Sequence, residues 1–151
     1  WSSDVCSSDL ERKGRTADAV RVYDAALRQR PGEPILANNL AALLLEGGDK
    51  AGLARALELA RPFGTSADPV LLDTLGWAQY RNGDVANAVR TLERAVAADG
   101  NLAVAQYHLG KAYAAASNPV SARQHLNLAV EKGGDQDFAA DAKKELAKLG
   151  T

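Results

Sequence analysis

The stretch from Leu72 to Ala98 reads LDTLGWAQYRNGDVANAVRTLERAVAA: an apolar helix, a Gly83-Asp84 turn and a second apolar helix. The same layout returns 34 residues later, where Leu75-Gly76 becomes Leu109-Gly110, Ala88 becomes Ala122, Leu92 becomes Leu126 and Ala95-Val96 becomes Ala129-Val130. A fixed period of this length is the signature of stacked helical repeats, and it outranks any local motif. Each unit alone cannot bury its apolar face, so neighbours must stack. The chain is therefore expected to be all-α, a solenoid of antiparallel helix pairs.

The small residues say how the pairs touch. Gly76 and Ala88 stand where two antiparallel helices cross, and larger side chains would hold the backbones apart. Leu75 and Leu92 fill the space on either side. Gly83 accepts a left-handed helix end and Asp84 caps the next helix. The pattern Leu72-x2-Leu75-Gly76-x2-Gln79, then Ala88-x3-Leu92-x2-Ala95, with Gly100 in a late Pro position, resembles the tetratricopeptide repeat. Gln79 replaces that family's aromatic residue, with Tyr80 next to it. The resemblance implies a right-handed superhelix closed by a C-terminal capping helix.

Taken in order, the chain opens on Trp1 to Leu10, WSSDVCSSDL, which resembles a translated sequencing adapter. It has no helical period and is expected to be a non-native, disordered tail. Cys6 is the only cysteine, so no disulfide or thiol chemistry is expected from Glu11 onward. With no Met in the chain, the sequence reads as a fragment of something longer.

The repeat domain is expected over 11–149. Residues 11–31 form half a repeat, with Ala19-x3-Tyr23-x2-Ala26-Leu27 before Pro31. Its missing first helix should leave Val20, Tyr23 and Leu27 poorly covered, a face through which two chains could self-associate. Full repeats are expected at 34–66, 69–100 and 103–134, and a capping helix at 137–149. In the first of these, Gly47-Gly48-Asp49 is the turn. Leu53 stands where the family prefers Ala, which should splay the pair, while Leu57 and Ala60 keep their places. An extra residue is placed in the loop from Pro62 to Asp68. Asp68-Pro69 starts the next helix, Tyr113 fills the aromatic slot, Ser117-Asn118-Pro119 is the following turn, and Gly133-Gly134 ends that unit. In the capping helix Phe138, Ala142, Leu146 and Leu149 share one stripe. Lys143, Lys144, Glu145 and Lys148 should face away, and Gly150-Thr151 reads as the C-terminal end.

Composition excludes several function classes. The net charge is −1, and losing Asp4 and Asp9 with the tail makes it +1. Without a basic stripe, nucleic acid is not an expected partner. No apolar run approaches the ~18 residues that span a bilayer. Gly47-Gly48-Asp49 lacks the spaced glycines and Lys-Ser/Thr of a phosphate loop. His108 and His125 fall on different helices with no second ligand at i+4, so no metal site is expected. No Ser-His-acid set can be named, and no cofactor or catalytic residue is expected.

A binding face is expected instead. Family resemblance implies that Asn38, Ala42, Leu45, Asp73, Trp77, Tyr80, Arg81, Tyr107, Lys111 and Ala114 line a concave groove. Helical spacing separately puts Asp73, Trp77, Tyr80 and Arg81 on one face at i, i+4, i+7 and i+8. The partner-binding set is Asn38, Asp73, Trp77, Tyr80, Arg81, Tyr107 and Lys111. Trp77 and Tyr80 are either anchors for a protein segment or gap-fillers between units. Family members that clamp a chaperone's C-terminal carboxylate use Lys, Arg and Asn here. This chain has Asp73 and Trp77, so an acidic tail is not the expected ligand.

The phrases PILANNLAALL, DPVLLDTLGWAQYRNGD and YHLGKAYA also resemble the C-terminal end of bacterial repeat lipoproteins of PEP-CTERM/exosortase and exopolysaccharide loci. That implies a periplasmic or envelope-associated scaffold, with the cytoplasm as the alternative. The competing reading is a structural spacer, the cap of a longer solenoid that binds its partner elsewhere.

Overall fold

The protein is described by a computed structural model covering residues 3–150, with side chains from residue 14 onward. All regular structure among the described residues is helical: α1 (Ser3–Gln29), α2 (Pro34–Gly47), α3 (Lys50–Ala60), a 3-10 turn (Arg61–Thr65), α4 (Pro69–Arg81), α5 (Val85–Ala98), α6 (Ala103–Ala115), α7 (Pro119–Gly133) and α8 (Asp137–Lys148). The chain divides into two compact units, Trp1–Ala60 and Arg61–Thr151.

In the second unit α4, α6 and α8 lie side by side, while α5 and α7 pack behind and between them. The contact that sets the spacing is a leucine on a glycine. A Cβ built on Gly76 would stand 2.5 Å from Leu92 Cγ, and one on Gly110 would stand 2.7 Å from Leu126 Cγ. Leu92, Leu109 and Leu126 are fully buried, as are Ala88, Ala95, Ala122 and Ala129. The 34-residue spacing read from the sequence is thus a packing period.

The turns follow their residue chemistry. Gly83 has φ +87°, and Asp84 Oδ1 accepts the Asn87 N–H at 3.3 Å. Asp68 Oδ1 accepts the Val70 N–H at 2.8 Å ahead of α4, with Pro69 in the first turn. At the next turn Ser117 takes the left-handed conformation, φ 58°, and Asn118 Oδ1 accepts the Ser121 N–H at 3.2 Å. The loop expected from Pro62 to Asp68 differs: a 3-10 turn over Arg61–Thr65, around buried Phe63, takes up its first four residues. Pro62 near the start of a helical turn loses no hydrogen bond, which permits this. Arg94 of α5 fixes the turn by donating to Gly64 O at 2.9 Å and Ser66 O at 3.2 Å.

In the first unit α2 packs between α1 and α3. The helix α1 starts at Ser3, so the segment expected to be a disordered tail has helical backbone from there on; a helix once nucleated adds residues at little cost. Trp1 and Ser2 lie outside the described residues. Val20, Tyr23 and Leu27 are half-buried, and no described side chain of α1 is fully buried. Asn39 Nδ2 donates to the Tyr23 hydroxyl at 3.3 Å. Ala41 occupies the slot of Gly76 and is fully buried. On α3, Gly52, Ala56 and Ala60 are buried, whereas Leu57, expected to keep its core place, is half-buried like Leu53.

Candidate functional site

Period and helix phase place one side chain per turn of α4, α6 and α8 on a shared face. Asp73, Tyr107 and Asp141 recur at 34-residue intervals, and so do Trp77, Lys111 and Glu145. The structure joins these two rows. The Tyr107 hydroxyl donates to Asp141 Oδ2 at 2.5 Å. Lys111 Nζ lies 3.4 Å from Asp141 Oδ2 and 3.2 Å from Glu145 Oε1. Lys111 also stands over the Tyr107 ring, 6.0 Å from its centroid.

A run of rings crosses the same face. Tyr80 stacks on Trp77 with centroids 4.8 Å apart and planes 12° from parallel. His108 stacks on Trp77 at 4.0 Å and 14°. Both rings lie nearly parallel to the indole, and no direct Tyr80–His108 ring contact exists among the described residues, so Trp77 lies between them. Tyr107 continues the run, 5.4 Å from His108, and Phe138 of α8 follows at 5.6 Å from Tyr107. Arg81, one turn beyond Trp77, sits over the indole at 5.6 Å. Asp73 is buried beneath, and its Oδ1 pairs with His108 Nδ1 at 2.8 Å. In that contact Nδ1 donates to the carboxylate, and in the neutral ring Nε2 is then the acceptor.

Electrostatics on this face close on themselves. The hydrogen bond from Tyr107 holds the Asp141 carboxyl below its usual range against the opposing effect of burial. Lys148 and then Lys111 lower Glu145 likewise. Burial alone would lower the Lys111 ammonium, but its bond to Glu145 and the charges of Asp141 and Glu145 raise it overall. Burial, and then Asp141, push the Tyr107 hydroxyl well above the ordinary tyrosine range. Lys111 and Lys148 thus offset the charges of Asp141 and Glu145.

Two polar edges have no such neighbour. Among the described residues the Trp77 indole N–H and the Tyr80 hydroxyl have no hydrogen-bond partner, and neither is among the buried unpartnered atoms, so both reach solvent. His108 Nε2 also has no hydrogen-bond partner among the described residues, on a side chain that is itself buried.

Of the sequence-predicted residues, Asp73, Trp77, Tyr80, Arg81, Tyr107 and Lys111 therefore gather on one face of the second unit. Ala114, half-buried, shares α6 with them. Asn38 belongs to the first unit, where it is half-buried on α2 with its Oδ1 sealed and without a partner. Ala42 is exposed and Leu45 buried on that helix. The sequence reading missed His108, Phe138, Asp141 and Glu145. One more step of 34 from Tyr107 and Lys111 lands on Asp141 and Glu145. Glu145, expected to face away, turns inward because Lys111 offers it a partner. Lys143 and Lys144 are exposed, in the positions that hold Leu75-Gly76 and Leu109-Gly110 in the helices before.

His125 sits away from this face. It stacks on Tyr113 at 5.5 Å, and its Nδ1 lies 2.7 Å from Gln106 Oε1. Burial lowers its pKa. Burial and a bond to Glu93 push the Tyr113 hydroxyl up to about 12. Among the described residues no group of three His, Cys, Asp or Glu is placed to hold a metal ion, and no helix is long and apolar enough to cross a membrane.

A family model described as "Tetratricopeptide repeat" matches residues 7–67 and 74–137. No curated protein matches the sequence. Among solved structures, the chain is similar to a thermophilic repeat protein of Thermus thermophilus, with 22% identity, 94% of this chain and 76% of that one covered, and a TM-score of 0.72. It is similar to YrrB, described as having an unusual peptide-binding site, with 26% identity, 87% and 68% covered and a TM-score of 0.59. It is also similar to the first repeat domain of Spaghetti bound to the HSP90 peptide SRMEEVD, with 23% identity, 72% and 89% covered and a TM-score of 0.58.

Proposed function

The chain belongs to the tetratricopeptide repeat family and has the fold of a protein-interaction scaffold, and from that premise we propose that the face formed by α4, α6 and α8 receives a segment of a partner protein. The observation that carries the reading is the ring run Tyr80–Trp77–His108–Tyr107–Phe138, in which Tyr80, Trp77 and Phe138 are half-buried over the buried rings of His108 and Tyr107, with unpaired polar edges at Trp77 and Tyr80. Large aromatics with one polar atom supply contact area at low entropic cost and dominate binding hot spots. A peptide-binding relative, YrrB, shares the fold at 26% identity. The proposed role is a non-catalytic one, in keeping with the repeat family's use as scaffolds. We place the protein in the bacterial envelope, in exopolysaccharide assembly, on the resemblance of its repeat phrases to PEP-CTERM/exosortase lipoproteins.

The test is a pull-down from envelope and cytosolic fractions with the chain and its Trp77→Ala/Tyr80→Ala variant, after circular dichroism shows both folded. A protein held by the parent and lost by the variant, from the envelope fraction, is the expected result. Capture from the cytosol alone would overturn the placement. Equal capture, or none, would overturn the docking face and favour a spacer in a longer solenoid.

A further inference from the structure

We infer that the segment this face takes is an uncharged, extended, proline-rich stretch of backbone, a proposal that rests on the docking reading above. The first ground is charge. Asp73 is hydrogen-bonded to His108, Lys111 is paired with Asp141 and Glu145, and Arg81 covers the Trp77 ring. An acidic or basic ligand would have to break one of these pairs, at the cost of a partly buried charge left behind. A neutral segment leaves them intact.

The second ground is hydrogen bonding. The groups left unpaired are two donors, the Trp77 N–H and the Tyr80 hydroxyl, and one acceptor, His108 Nε2. A bound helix has already spent its backbone donors and acceptors internally and could not satisfy them. A polyproline II segment has no internal hydrogen bonds, so its carbonyls are available to the two donors. Prolines lack an N–H, so a mostly-donor surface leaves no backbone amide stranded at their positions. An intervening residue that is not proline supplies the one N–H that His108 Nε2 can accept. The rings add a third ground, because aromatic-lined grooves with donating edges are a recurring way to bind such segments. Both faces of Trp77 are covered, so the indole offers its edge, and the proline rings pack against the ring rims along the row.

The experiment is isothermal titration of the full chain with an N-acetylated, C-amidated peptide of about ten residues, Pro with interspersed Ala. Saturable binding is expected, changing less than about twofold between roughly 0.05 and 0.5 M salt because no ion pair forms. Tyr80→Phe removes a hydroxyl that has no partner in the fold, so the variant should fold normally and bind roughly tenfold more weakly. Tyr113→Phe, whose hydroxyl is held by Glu93 away from this face, should bind like the parent. Three results would each overturn the proposal: no binding, tighter binding of a helix-forming or acidic free-carboxylate peptide, or a Tyr80→Phe variant indistinguishable from the parent. If the pull-down partner is still lost on Trp77→Ala/Tyr80→Ala while the proline peptide fails, the docking face stands and only its ligand class falls.

Discussion

At the point where α4 crosses α5 the chain has Gly76, and at the same register in α2 it has Ala41. The absence of one carbon lets Leu92 seat on the α4 backbone, its Cγ only 2.5 Å from where a Cβ would be. The α6–α7 pair repeats this with Gly110 and Leu126. In α2–α3 the Ala41 Cβ fills the slot, and α3 presents Gly52, Ala56 and Ala60 inward while Leu53 and Leu57 stay at the margin. A polar clasp also ties α3 to α1: Arg55 of α3 reaches both carboxylate oxygens of Asp24. One family repeat thus has two packings. Where glycine opens the crossing, a leucine supplies the core; where it does not, small residues and an ion pair share the task.

The largest break in this contrast should come from removing the leucine. Leu92→Ala leaves a cavity in a fully closed site and should cost about 2–5 kcal/mol. Leu57→Ala, at the equivalent but half-buried position, should cost less than half as much. Denaturant melts combined with amide hydrogen exchange assign each loss to its own pair. Equal costs would mean that the two pairs bury their leucines alike. The glycine gives the next effect. Gly76→Leu forces atoms into the space Leu92 occupies and should cost about 1–3 kcal/mol or more. The reverse change, Ala41→Gly, removes a methyl and some helix propensity, about 1 kcal/mol. A Gly76→Leu variant that melts like the parent would break the assigned register.

These residues also show how far the sequence could be read. Leu75-Gly76, Leu109-Gly110, Ala88 and Ala122 declared the period because close backbone contact admits few residue types. Turn positions were equally plain, since Asp68, Asp84 and Gly83 each meet a geometric demand. The site was legible in its rows but not in its pairings. Asp73, Trp77, Tyr80, Tyr107 and Lys111 follow from helix phase. That His108 would stack on Trp77 depends on the angle between α4 and α6, which no spacing encodes. Glu145 looked like one more solvated charge in a Lys-rich helix, because only the neighbouring Lys111 gives it a reason to turn inward. The shift to small residues on α3 was hidden for a similar reason: Leu53 and Leu57 keep the right spacing, yet both stay half-buried while Gly52, Ala56 and Ala60 are buried.

The clasp gives the smallest effect and a test of whether charge does some of the work in α1–α3. The hydrogen bond from Arg55 lowers the Asp24 pKa from its ordinary 3.8, outweighing burial, which alone would raise it. A carboxylate with a depressed folded-state pKa adds stability that is fully present above the unfolded value. That stability is lost as pH falls through the folded value, where the proton displaces the ion pair. Arg55 is 45% exposed, so solvent screens the pair and its contribution should be roughly 0.2–1 kcal/mol. Denaturant midpoints of the chain and of Asp24→Asn, taken at about pH 6 and about pH 2.5, isolate this carboxylate because all others cancel in the difference. The gap should be small but measurable at the higher pH, shrink with about 0.5 M salt, and close in acid. The α4–α5 pair supplies the control: the cost of Leu92→Ala should not respond to pH or salt in the same way. A gap for Asp24→Asn that persisted unchanged at low pH would assign its effect to packing, and the distinction between a leucine-locked pair and a charge-assisted one would fail.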